Sequence, residues 1–327
     1  MTTLVFTNGD SASALLTEAG KLGVIEPWRD CLHLGPVPIT NADQELREIR
    51  AKYLSDAFGD PDGNILSGLV SRDGLIEMHK KFDRIELWFE HDLYDQLQLI
   101  QILDMLAKTG RKHDVSLVQA SVYLGMQTPE TVLDLADNMI DVSGDIFDVA
   151  QRVWHAFRED TPTAFAGCLS DDFAKTPFLN MAISRMLEEL PGRDGLNRTE
   201  RQMLFCIHRG INRPGPLFAR NMVMEDAAFW GDTGFFAVLS NLASGPSPLI
   251  EGLSEPFVPE LLQDDKRRKA FITCDIDLTE TATALLQGEQ DFADLSPIDR
   301  WIGGTHVTND NLWRWDSKSA ELVAPLA

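Results

Sequence analysis

A chain of 327 residues exceeds one typical domain, and its 44% apolar and 24% charged composition is that of a folded globular protein rather than a disordered one. Its 51 acidic against 29 basic side chains give a formal charge of -22, which works at long range against a generic nucleic-acid coat and against anionic membrane. Cys31, Cys168, Cys206 and Cys274 form no C-x-x-C pair, no apolar run approaches the ~20 residues of a membrane span, and MTTLVFTNGD lacks a secretion leader, so a cytoplasmic protein with reduced thiols is expected.

In chain order, TLVFT (3 to 7) is β-prone and closes on Asn8-Gly9, and Ser11 to Leu22 then carries Leu15, Leu16 and Leu22 at helical spacing. GVIEPW (23 to 28) reads as a second strand, and HLGPVP (33 to 38) as loop, because Gly35, Pro36 and Pro38 interrupt any regular element. Helical stretches cover about 41 to 58 and 65 to 81; RIELWF (84 to 89) is a strand, LYDQLQLIQILDMLAKTG (93 to 110) a helix closed by Gly110, and VSLVQASVYL (115 to 124) a further strand. This alternation predicts an α/β fold with a Rossmann-like parallel sheet in an N-terminal domain, residues 1 to 127, helices covering both faces.

Residues 128 to 192 carry helical periodicity without convincing strands and are expected to form a helical connector. From 193 to 290 the order is helix (LNRTERQMLFCIHRG), helix (GDTGFFAVLSNLAS), strand (PLIEG), strand (KRRKAFITCDI) and helix (LTETATALLQG). That order resembles a winged helix-turn-helix unit, so a winged-helix-like C-terminal domain is expected. In the tail, 291 to 327, DRWIGGTHVTNDNLWRWD sets three tryptophans around Gly-Gly and Asn-Asp-Asn turns, as in a β-hairpin packed back on the body.

Ligands of open parallel sheets bind outside the carboxyl ends of the strands, where helix N-termini point inward. The first strand delivers Asn8, Gly9, Asp10 and Ser11 to that edge, the second Arg29, Asp30 and His33, the third Glu90, His91 and Asp92. Asp92 has the position of an N-cap and Asp95 that of a first-turn acid complementing the helix dipole. Glu90 and His91 are not needed as caps; His91 is the candidate general acid or base, with Glu90 or Asp30 orienting the ring, and Asp10 and His33 nearby. Arg29 could hold a phosphate or carboxylate, with an ion pair to Asp30 or Glu26 as the structural alternative. Carboxylates and imidazoles converge as a divalent metal would require, although the ligand set is not diagnostic. There is no G-x-G-x-x-G, G-x-x-x-x-G-K-[ST] or H-E-x-x-H, which withdraws support from standard dinucleotide, P-loop and zincin chemistry.

The strand followed by G-D-S resembles the first block of the GDSL hydrolases, which would make Ser11 a nucleophile. The D-x-x-H partner of that family falls here at Asp30 to His33 rather than near the C-terminus, so the role is not carried over. A longer match is NGDSASALL, then PWRDCLHLGPVP, then ELWFEHDLYDQLQLIQ, which resembles the family called domain of unknown function 1835. The resemblance implies a Rossmann-like N-terminal domain and transfers no activity.

The reading is a small-molecule or nucleotide-type ligand site at the sheet edge, of hydrolase or transferase type if catalytic. One alternative is a ligand-sensing, transcription-associated DNA binder, suggested by six arginines against two acids over 193 to 220 and by Lys266 to Lys269 in the expected wing, but disfavoured by net charge. The other is a non-catalytic interaction scaffold.

Overall fold

The computed structural model describes residues 1–325. It is a mixed α/β structure that divides into two compact units, one comprising Met1–Ser184 with Trp301–Thr305, the other Arg185–Arg300 with the described residues from His306 on. Among the described residues no helix is long and apolar enough to cross a membrane.

In the first unit β1 (Thr3–Thr7), β2 (Val24–Pro27), β3 (Arg84–Glu90) and β4 (Val115–Ala120) run parallel in the order β2-β1-β3-β4. A two-residue strand, β5 (Ile140–Asp141), adds an antiparallel edge beside β4. It lies where the sequence predicts only helical connector, and it is too short to give a period-2 signal. Burial along β1, β3 and β4 is continuous rather than alternating, as in a sheet covered on both faces. On one face Val5, Trp88 and Val118 pack against Ala12 and Leu16 of α1 (Asp10–Glu18) and against Leu124 and Val132. On the other, Phe6 meets Trp28 edge-on with ring centroids 5.5 Å apart, and Trp28 donates its indole N–H to Gln101 of α4 (Leu93–Lys108) at 2.8 Å.

The register places Thr7 beside both Pro27 and Trp88, so β1, β2 and β3 release their chains at one edge. The chain leaving β2 is held by α2 (Asp43–Phe58), which precedes α3 (Ile65–Glu77). From α2 the fully buried Arg50 donates to Asp30 Oδ1 through Nε (3.1 Å) and Nη2 (2.7 Å), and to the carbonyls of Cys31 (3.0 Å) and Leu34 (2.6 Å). α5 (Gly144–Phe157) packs on α4 and is followed by α6 (Thr163–Gly167) and α7 (Leu179–Leu187). Gly303 accepts from Val37 N at 2.8 Å, and Gly304 donates to Phe157 O at 3.0 Å. A Cβ on Gly303 would lie 1.9 Å from Phe157 O, and one on Gly304 1.9 Å from Arg158 O, so the Gly-Gly pair is dictated by close backbone approach.

The second unit opens with α8 (Arg198–His208), started by a capping box between Asn197 and Glu200, and continues with α9 (Pro214–Met224) and α10 (Asp232–Leu242). β6 (Ile250–Glu251) pairs antiparallel with β7 (Asp277–Leu278). Between them KRRKAFIT is not the predicted strand: it is α11 (Asp265–Thr273), because Asp264 accepts from the backbone N–H of Lys266 and Arg267 and starts a helix. α12 (Glu280–Leu286) and α13 (Phe292–Leu295) follow, and β10 (Arg314–Asp316) pairs with β11 (Glu321–Val323); β8 (Asp299–Ile302) pairs with β9 (Thr305–Thr308) in the hairpin that contains the Trp301–Thr305 stretch of the first unit.

The Arg50–Asp30 pair makes a stability prediction. Arg50→Met leaves a carboxylate buried without its partner and should lower the unfolding free energy by about 3–5 kcal/mol, whereas Arg50→Met with Asp30→Asn should recover a large part of that loss. Urea unfolding of the two variants measures the difference; equal losses would mean that the carbonyl contacts, not the ion pair, are what Arg50 supplies.

Candidate functional site

Of the three groups predicted to share the sheet edge, the first two meet at a cleft of about 730 Å³. Gly9, Asp10 and Ser11 at the start of α1, and Arg29 and Cys31 beyond β2, line one side. The other side is Leu54 and Phe58 of α2, the turn at 59–64, and Ile65, Gly68, Leu69 and Arg72 of α3, with Tyr94 of α4 closing the back. The apolar side chains of α2 and α3 therefore share the lining with polar groups on both sides, Asp10, Ser11 and Arg29 on one and Asp60, Asp62, Asn64 and Arg72 on the other.

Gly9 is the N-cap of α1 and offers no side chain, so the first backbone N–H groups of the helix receive no side-chain cap. Asp10 is instead turned to Arg29: Nε lies 3.0 Å from both carboxylate oxygens and Nη2 2.6 Å from Oδ1. That hydrogen bond with Arg29 holds the Asp10 carboxyl below its ordinary range, against a smaller effect of burial. Both side chains are more than half exposed, so this is a pair of low intrinsic worth. Glu26 lies 3.8 Å from Arg29 Nη1; burial raises its carboxyl, while Arg29 and Arg72 work in the opposite direction. Burial pushes the Cys31 thiol up to about 12, which removes it as a thiolate nucleophile at neutral pH.

Arg72 was not anticipated from sequence. It is buried, its guanidinium lies 3.7 Å over the Trp28 ring, and Nε and Nη2 both reach Asp73 Oδ1 at 2.9 Å. Its Nη1 is buried with no hydrogen-bond partner. The remaining signal for this wall was the Gly59, Pro61 and Gly63 run between two helical stretches, a loop held at the sheet edge rather than a plain linker.

The other sequence candidates stand apart from the cleft. Asp30 is committed to Arg50, and His33 is buried with its ring edge-on to Tyr94 at 6.1 Å. His91 sits between Tyr123 and Phe178, with centroids at 5.1 and 5.9 Å, and burial lowers its pKa despite a hydrogen bond to the Ala120 backbone. Its ring packs on these two aromatic side chains, while the Asp30 carboxylate expected to orient it is taken by Arg50.

Glu90, Asp92 and Asp95 form a separate cluster with one oxygen each within 4.8 Å of the others, all three buried. Asp95 is a first-turn residue, as predicted, but its role is larger than dipole compensation: Oδ1 accepts from Asn8 Nδ2 at 2.9 Å and Oδ2 from the backbone N–H of Glu90. Asp92 caps α4 by accepting from Asp95 N at 3.0 Å, and Glu90 Oε1 accepts from Leu124 N at 2.6 Å. With Tyr94 Oη donating to Asn8 O at 3.2 Å, these bonds fill the crevice between the loops after β1 and β3. Burial raises the carboxyls of Glu90, Asp92 and Asp95, with mutual repulsion adding to Asp92, which reaches about 7, and to Asp95. These three oxygens are the set that could hold a hard divalent cation; the imidazoles of His33 and His91 are not part of it.

The cluster dictates a pH dependence. Between pH ~4 and ~7 the unfolded chain has released the Asp92 proton while the folded chain still binds it, so the Asp92 contribution makes stability fall as pH rises through that window, by ~1.4 kcal/mol per pH unit at its steepest, with the raised carboxyls of Glu90 and Asp95 acting in the same direction. Asp92→Asn keeps a good N-cap and removes the Asp92 share of that titration. Urea unfolding at several pH values in chelating buffer should give a visibly flatter profile for the variant; superimposable profiles would exclude Asp92 as the source.

No family model matches the chain, and no curated protein matches it.

Proposed function

We propose that the first unit binds a small organic molecule in the cleft at the carboxyl ends of β1 and β2, and that any chemistry there is of hydrolase or transferase type. The observation that carries this reading is the meeting, in one 730 Å³ cleft, of an uncapped helix start with guanidinium groups and an apolar wall. Such a volume is within the range of small-molecule pockets, which combine apolar lining with a few convergent polar groups. The parallel strand order β2-β1-β3-β4 and the resemblance of this region to domain of unknown function 1835 support a Rossmann-like architecture, in which ligands lie at this edge. Within the cleft, Asp10, Ser11 and Asp62 are groups on which proton transfer or nucleophilic attack would draw, Asp60 being engaged by the backbone N–H groups of Asn64 and Ile65.

The DNA-binding alternative has weaker support. The sequence of α8, α9, α10, β6, β7 and α12 follows a winged-helix-like order, but the residues expected in the wing are in α11. Four of the six arginines between 193 and 220 are already paired, Arg193 with Asp316, Arg198 with Glu188, Arg201 with Asp194 and Arg213 with Asp275. Arg267 and Arg268 are likewise paired with Glu255 and Asp265. Phosphate contacts would have to displace these acids.

Gly68 supplies a clean test. It lines the cleft, and a Cβ there meets nothing within 4 Å, so Gly68→Phe fills the space without a clash. In thermal-shift measurements against nucleotides, sugar phosphates and aromatic acids, a compound at 100 times its Kd should stabilise the native protein by about 2.7 kcal/mol. That shift should vanish in Gly68→Phe while the variant's own melting temperature holds. A shift that survives the substitution places binding elsewhere, and silence across the panel favours the scaffold reading.

A further inference from the structure

Three neighbouring helices of the first unit carry charge where a packed helix layer is normally apolar. α2 brings Arg47 and Arg50, three positions apart, α3 brings Arg72 and Asp73, and α4 brings Asp104 and Lys108, four apart, to the wall of one small cavity of about 20 Å³. Asp30, on the segment leaving β2, lines it as well. Of the residues around this cavity only Leu69 and Arg72 also belong to the ligand cleft.

The ion pairs here leave three polar atoms over. Asp73 receives Arg47 Nη1 on Oδ2 at 3.2 Å and Arg72 Nε and Nη2 on Oδ1 at 2.9 Å, and Asp104 meets Lys108 Nζ at 2.8 Å. Arg50 takes Oδ1 of Asp30 through both Nε and Nη2, which leaves the second oxygen out of the pair. Asp30 Oδ2, Arg47 Nε and Arg72 Nη1 are buried without a hydrogen-bond partner in the protein. Asp30 and Arg72 are only 2% and 3% exposed, and a charged group left unpaired at such depth is costly. All three atoms belong to residues that line the same cavity.

Size and charge select the occupant. One water requires about 10–15 Å³, so this cavity admits a water or a monatomic ion and nothing larger. A cation would meet the donors of Arg47 and Arg72, and an anion would meet the carboxylates of Asp30 and Asp73. Water alone both donates and accepts. We infer that the cavity is a binding site for one ordered water, which donates to Asp30 Oδ2 and accepts from Arg47 Nε and Arg72 Nη1. The water joins α2 and α3 to the segment leaving β2, and it completes the fixing of Arg72, whose guanidinium lies over Trp28 at the cleft wall. It does so whatever the cleft binds.

Two measurements on the intact chain test this. In diffraction data collected at the bromine absorption edge from crystals soaked in bromide, isolated density should lie about 2.7–3.2 Å from each of the three atoms and carry no anomalous signal. An anomalous peak there would identify a halide site and overturn the water. So would a site without density, or the three atoms bonded to one another. In solution, oxygen-17 relaxation dispersion in enriched water reports long-lived internal waters, and Arg47→Met removes one donor while Asp73 keeps Arg72. Loss of that charge-assisted hydrogen bond should shorten the residence of this water about tenfold, and the difference between parent and variant isolates it from any other internal water. Identical dispersion in the two proteins would overturn the assignment.

Discussion

The arrangement of the sheet edge depends on one buried ion pair. Arg50 reaches from α2 to Asp30 and to the carbonyls of Cys31 and Leu34, and with Gln98 of α4 donating to the Asp30 carbonyl it fixes a chain segment with no regular structure. This sorts the run W-R-D-C-L-H by direction: Trp28, Asp30, Leu32 and His33 go inward, and Arg29 is left on the outside at the cleft. A buried pair of this kind is weak evidence for stability by itself, because desolvation consumes most of the attraction. Its consequence is positional. With Trp28 immobilised between Phe6 and Gln101, the indole face becomes the platform on which Arg72 lies.

The same logic explains which parts of the structure were legible in the sequence. Short β-prone runs at 3–7, 84–89 and 115–120, bounded by turn residues and alternating with helical stretches, announce the strands, and the Asp92 cap follows from its place before an apolar helix. Arg29 and Asp10 could be assigned to one edge because strand alternation with helices fixes that edge. The partner of Asp30 could not be read, because Arg50 is twenty positions away on a helix whose orientation no local pattern encodes. His91 looked catalytic because it follows a strand; Tyr123 and Phe178, which enclose it, come from segments far along the chain. The KRRKAFIT segment ends in β-prone Phe-Ile-Thr, which suggests a strand, whereas the cap at Asp264 starts a helix that runs through it.

Net charge is a poor guide to the cleft. The chain carries a formal -22, but a long-range field and a local seat are different quantities, since exposed charges beyond a Debye length are screened. What matters at the edge of β2 is that Asp73 is occupied by Arg47 and Arg72, and Asp60 by the backbone N–H groups of Asn64 and Ile65. In the second unit the reverse holds: a sequence segment rich in arginine is neutralised by acids brought from elsewhere, so its positive appearance in one dimension does not survive folding.

The position of the cleft follows from what fills its neighbour. In a sheet ordered β2-β1-β3-β4, connections diverge between β1 and β3, and that gap is where an open sheet most readily receives a ligand. Here Asn8 spans it to Asp95, Tyr94 closes it from above, and Glu90 and Asp92 complete a buried carboxyl cluster held by backbone N–H groups. The gap is therefore already occupied by the protein's own polar groups. Space opens one strand further along, over β1 and β2, where the loop between α2 and α3 stands away from Gly9 and leaves the start of α1 accessible. Three buried carboxyls held by backbone N–H groups close one crevice, and a helix start without a side-chain cap opens the next. The acidic residues that end the β3 segment thus act on the site by deciding where it lies, not by lining it.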